Sequence, residues 1–161
     1  MPPAYEAALR DGRIAHIRPL AQEDAPRIES FVQALSPQSR RARFLGAVSS
    51  LSPQRLREML TSPGLSVAAF GADGRIVAHA QYALAAGQAE FALVVDEAWR
   101  RNSLGEQLLG LLKRHARAAG AGVLGGFMFA DNHAMRRLAR KLGFMEKRCG
   151  DATLLRFEAT P

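Results

Sequence analysis

The run from residue 88 to residue 129 narrows the possible folds more than any other part of the chain. An apolar stretch, Gln88 to Val95, enters a polar turn, Asp96 to Ser103. Leu104 to Ala119 follows, with Leu104, Leu108, Leu111, Leu112, His115 and Ala119 on or near one helical face. Gly120 and Gly122 stop that helix, and Val123 to Phe129 reads as a second apolar strand. Strand, helix and strand in this order predict a parallel pair, because parallel neighbours need a long crossover. The turn before the helix has its own chemistry. A helix leaves its first backbone N–H groups unpaired and at the positive end of its dipole, so a diphosphate fits there. Arg100 and Arg101 add positive charge beside that point.

The segments around this run supply the rest of a mixed α/β sheet. Arg13 to Arg18 alternates and predicts a short strand ended by Pro19. Gln22 to Leu35 has helical spacing at Ala25, Ile28, Phe31, Val32 and Leu35. Ser39 to Leu45 is basic and reads as helical or irregular, and Ser52-Pro53 is a capped helix start. Leu65 to Phe70, a turn at Asp73-Gly74, Arg75 to Leu84, a turn at Gly87 and the Gln88 strand form an antiparallel meander. After Phe129, Asp131-Asn132 caps a helix to Leu142, and short strands follow over 145–149 and 153–158. Residues 1–12, with Pro2, Pro3 and Gly12, read as a loose, flexible arm, and residues 13–161 as a single domain.

Composition excludes several classes. Apolar residues make up 48% and charged residues 23%, which suits a chain with a core rather than a disordered one. No apolar run is long enough for a membrane span. Cys149 is the sole cysteine and the N-terminus lacks a secretory pattern, so a reducing cytoplasm is the expected home. The net charge of +7 comes mostly from arginine, without a basic block interleaved with aromatics. Nucleic acid is therefore a minor reading, one that predicts salt-dependent retention on DNA. His16, His79, His115 and His133 are scattered without metal-ligand spacing, so no metal site is expected.

Arg100-Arg101-Asn102-Ser103-Leu104-Gly105 resembles the acetyl-CoA-binding motif of the GNAT superfamily of N-acetyltransferases, Gln/Arg-x-x-Gly-x-Gly/Ala. A second stretch, Asn132 to Phe144, is similar to that family's Asn–helix–Lys-x-Gly-Phe segment, and Arg18-Pro19 to its first-strand ending. The likeness spans residues 13–158. Within the superfamily, Leu35-Ser36-Pro37-Gln38-Ser39-Arg40-x-x-Arg43-Phe44 and Met135 to Ala139 look like the GNAT domain of Pat-type protein lysine acetyltransferases. The resemblance implies the GNAT fold, a twisted mixed sheet of roughly six or seven strands with about four helices.

It also implies acetyl transfer from acetyl-CoA to a primary amine, either a protein lysine or a small amine. Glu90 resembles the general base of the Pat-type domains; a carboxylate is needed there because an ammonium cannot attack a thioester. Leu93, Val94 and Val95 would lie along the pantetheine arm. Arg100, Arg101, Asn102, Ser103, Leu104, Gly105 and Glu106 would hold the diphosphate, and Asn132 would bond the arm or cap its helix. The family leaves a homodimer open. Two departures stand out: Ser103 replaces the motif's first glycine, and Ala139 replaces a tyrosine that many members use to protonate the leaving thiolate. They keep a second class in play, an acyl-CoA-binding sensor without turnover.

Overall fold

A computed structural model describes all residues from Met1 to Pro161. Eight strands form one sheet: β1 (Tyr5–Ala8), β2 (Ile14–Pro19), β3 (Gly64–Phe70), β4 (Ile76–Ala85), β5 (Gln88–Val95), β6 (Val123–Phe129), β7 (Met145–Arg148) and β8 (Leu154–Ala159). Their order across the sheet is β1-β2-β3-β4-β5-β6-β8-β7. Every neighbouring pair is antiparallel except β5 and β6, which are parallel as the crossover requires.

Five helices cover the sheet: α1 (Ala25–Ala34), α2 (Pro37–Phe44), α3 (Pro53–Leu60), α4 (Leu104–Ala118) and α5 (His133–Lys141). Their starts follow local chemistry. The Ser36 and Ser52 hydroxyls accept from the Ser39 and Arg55 amides, and proline occupies the first turn in both helices. Asn132 caps α5 in the same way, accepting from the Met135 amide at 3.2 Å. The α4 side of the sheet buries the larger cluster, built on Leu104, Leu108, Leu109, Leu112, Tyr82 and Phe157, with Met135 and Leu138 of α5, and Leu142 just after it, against it. The opposite face buries Ile28, Phe31, Val32, Met59, Phe70 and Val94 under α1 and α3. Burial of such side chains is the main favourable term in folding, about 1.5–3 kcal/mol for each large apolar group.

One sequence expectation fails here. Residues 5–8, read as part of a loose arm, form the edge strand β1, paired with β2 from Tyr5↔Ile17 to Ala8↔Ile14. Ala7 and Leu9 are buried. Gly12 turns the chain at φ +85°, a conformation glycine adopts without a Cβ clash. This hairpin brings the count to eight strands and braces the turn that follows β5. Gln107 Nε2 donates to the Ala8 carbonyl, Asn102 Nδ2 to Asp11, and the Arg13 guanidinium to the Ala98 carbonyl while stacking 4.1 Å over Trp99.

Candidate functional site

The parallel pair holds together only at its start. β5 and β6 pair at Gln88↔Val123, Ala89↔Leu124 and Glu90↔Gly125, and the register ends there. Beyond Glu90 the strands splay and open a cleft of about 1130 Å³. In a strand, alternate residues turn both backbone groups to the same side. The Gly87 carbonyl accepts from Gly122 on the β6 side, and the Asp96 amide donates to Val77 on the β4 side. By alternation, Leu93 and Val95 turn their amides and carbonyls into the opened gap. Val94 does the reverse. Its backbone pairs with His79 of β4 and its side chain belongs to the α1–α3 cluster, although the residue still lines the cleft.

At the far end of the gap stands the turn before α4. Asp96 accepts from the Ala98 amide and opens a short 3-10 turn over Glu97–Trp99. Arg101 and Ser103 then adopt left-handed backbone, φ 61° and 72°, which presents consecutive amides toward one side. None of the backbone N–H groups from Arg101 to Glu106 donates to a protein acceptor. Gly105 keeps α4 close to its neighbours: a Cβ there would lie 3.3 Å from Leu138 and 3.7 Å from Val95. This array of free amides at a helix start suits a diphosphate, and the open edge of β5 suits an extended arm carrying amide groups.

The side chains in this turn have more varied duties than their spacing implied. Arg100 donates through Nε to the Val95 carbonyl at 2.9 Å and through Nη2 to Ser39 at 2.8 Å, tying the turn to α2. Glu97 completes that tie by accepting from both Ser36 and Ser39; these bonds, Ser36 first, hold its carboxyl below the usual range. Leu104 is buried in the core and Asn102 is turned to Asp11, so neither side chain lines the cleft, and each residue has only a free amide to offer there. Glu106 bonds Lys141 of α5 at 2.7 Å, which lowers its pKa and offsets a negative charge that would oppose an anion at the helix start. Ser103 Oγ accepts from Gln107 Nε2 at 3.2 Å. Asn132 lines the cleft while it caps α5.

Glu90 lines the other half of the cleft, where β5 and β6 part. Its side chain is 61% exposed rather than enclosed in apolar surroundings, and Arg156 of β8 approaches it at 3.9 Å. Gly125 makes that approach possible, since a Cβ there would fall 2.6 Å from the Arg156 guanidinium. Arg41, Arg43 and Gln81 line the same cleft. Sequence spacing did not single out Arg156 or Gln81, which reach the site only through sheet register; Arg43 stood in the Arg40-x-x-Arg43-Phe44 segment without a role. Ala139 is fully buried, so no hydroxyl replaces the missing tyrosine at that position. His79 and His115 are engaged with Ser66 and Tyr82, and Cys149 donates to the Leu154 carbonyl outside the cleft.

Comparisons with known proteins agree with this geometry. Residues 29–144 match the model of the Acetyltransferase (GNAT) family. An acetyltransferase of Pseudomonas aeruginosa is 34% identical over 152 residues, covering 89% of this chain and 82% of that one. Among solved structures, the GNAT domain of S. lividans PAT superposes with a TM-score of 0.90 at 24% identity, covering 98% of this chain and 97% of that one. A Salmonella typhimurium protein solved with its cofactor acetyl-CoA superposes at 0.69 and 19% identity, over 91% of this chain and 93% of that one. The fold is thus shared with these structures, and this chain belongs to the GNAT acetyltransferase family.

Proposed function

We propose that the chain carries an acetyl group from acetyl-CoA to a primary amine, with Glu90 as general base and a protein lysine as the first acceptor class to test. The observation that carries this reading is the parting of β5 from β6 after Glu90, which leaves the Leu93 backbone groups and the Val95 amide without a strand partner between Glu90 and the free amides of residues 101–106, the Val95 carbonyl being taken by Arg100. Acetyl-CoA supplies the activated acetyl thioester. The amides of Arg101 to Glu106 hold its diphosphate, and the open β5 edge aligns the pantetheine arm and polarises the carbonyl. Glu90 accepts the ammonium proton, directly or through a water, so that the nitrogen lone pair can attack. The new C–N bond forms as the C–S bond breaks, and the second proton of the attacking nitrogen passes through water to the leaving thiolate, since Ala139 offers none. Support for a lysine acceptor comes from the likeness of Leu35 to Phe44 to Pat-type domains; a small amine is the alternative.

Glu90→Gln is expected to lower kcat by about 10²-fold. Calorimetry should find its acetyl-CoA affinity within about two-fold of wild type, because Glu90 does not touch the diphosphate turn. Equal kcat for the two purified proteins would remove Glu90 from the mechanism.

A further inference from the structure

The cleft carries positive charge on α2 that no carboxylate of the fold pairs with. Arg43 of α2 has a guanidinium whose Nε is sealed from solvent and has no acceptor. No carboxylate pairs with it; its charged neighbour is Arg55, also an arginine, and burial followed by that repulsion pushes Arg43 down to about 10. It therefore remains protonated at neutral pH. Gln81, in the same cleft, has a buried Oε1 without a donor. Arg41 lies 3.7 Å over the Phe129 ring and forms no ion pair. Arg156 adds a third guanidinium, held by Glu158 at 2.6 Å and facing Glu90.

A part-buried charge without a carboxylate partner is costly, and a chain under selection for stability alone would replace it. The amine acceptor is itself a cation before it reacts. Two guanidinium groups in the cleft, Arg41 and Arg43, that no carboxylate pairs with disfavour a plain ammonium. Both difficulties vanish when the acceptor brings its own negative charge. Building on the acetyl-transfer reading above, we infer that Arg43, with Arg41 and Gln81 beside it in the cleft, forms a carboxylate subsite, so that the acceptor is an amine that also bears a carboxylate. The guanidinium fork matches a carboxylate with two parallel hydrogen bonds, and Gln81 Oε1 is free to accept from the acceptor's N–H groups. The carboxylate belongs either to a free amino acid or to an acidic side chain beside a lysine.

Two kinds of measurement test this. The first needs no turnover: glutarate, a dicarboxylate without an amine, is titrated into wild type and Arg43→Gln. Wild type is expected to bind it, with affinity falling about ten-fold or more in the variant. Acetyl-CoA affinity should stay within about two-fold, since loss of cofactor binding would assign Arg43 to the phosphates and overturn the subsite. The second uses acceptor twins that differ in one group: γ-aminobutyrate against its amide, and capped Lys-Glu against capped Lys-Gln. In at least one twin pair the acid should be preferred by about ten-fold, mainly through KM. Arg43→Gln should abolish the preference and Arg43→Lys restore part of it. The preferred pair tells the free acid from the peptide.

Glutarate binding that is absent, or equal in both proteins, overturns the inference, as does equal turnover of acid and amide. Arg43-dependent glutarate binding with no amine acetylated would keep the subsite and remove the acetyl-transfer reading instead. Arg43→Met should melt no lower than wild type; a marked loss of stability would make Arg43 a structural residue and overturn its role here.

Discussion

Ser103 shows how a single residue can be strained for the sake of a turn. It holds φ at 72° with a Cβ attached, where the GNAT motif places glycine. Left-handed backbone costs a residue with a side chain about 1 kcal/mol, so Ser103→Gly is expected to raise stability by about 0.5–1 kcal/mol in a denaturant melt. Acetyl-CoA affinity should be kept or improved, because the backbone amide remains and approach becomes easier. Asp24 presents the opposite case, a charge whose cost is met within the fold. Its carboxylate has no solvent exposure, takes two hydrogen bonds from Arg18 at 2.7 and 2.8 Å, one from Ala21 and one from Arg27. Arg18 first, then the Ala21 amide, hold its pKa below the ordinary value. A depressed folded value means that the stabilisation is complete above the unfolded carboxylate value of about 4 and is lost as pH falls through the folded one. Asp24→Asn should cost about 2 kcal/mol at pH 7, discounted because Arg18 is partly exposed, and its melting temperature should converge with that of wild type near pH 2.

Elements differ in how plainly their sequences declare them. Ser36-Pro37, Ser52-Pro53 and Asn132 announce helix starts through chemistry within four residues, and each cap is present as an actual hydrogen bond. The free amides of the turn before α4 were legible for the same reason, since they and the helix behind them are consecutive. β1 was not legible. Tyr5 to Ala8 is too short to show an alternation, follows two prolines, and gains its order from pairing with β2 and from contacts with residues some ninety positions away. Arg156 and Gln81 were hidden for a related reason: register brings them beside Glu90, and register is a property of the whole sheet. The bracing by β1 has a measurable effect. Deleting residues 1–8 removes the Ala8 carbonyl that anchors Gln107, and acetyl-CoA affinity should fall about ten-fold through loss of preorganisation. Unaltered affinity in a folded deletion protein would show that the turn stands without its brace.

At the scale of the molecule, two half-sheets, β1 to β5 and β6 with β8 and β7, meet through three residue pairs. Packing of α4 and α5 bridges them, but the main-chain seam is open for the remaining length of β5. A reactant lying in that seam would serve as a rung that the polypeptide lacks. Saturation at 100 times the dissociation constant should then add about 2.7 kcal/mol to unfolding stability, with a melting point that climbs with the logarithm of acetyl-CoA concentration. Deuterium should enter the amides of Leu93 and Val95 quickly in the free protein and slowly in the bound one, while those of Gln88 to Glu90 change little. Such a chain would be firmest when charged for reaction and loosest once the spent thiol departs, so its supply of acetyl donor would also set how long it survives proteases.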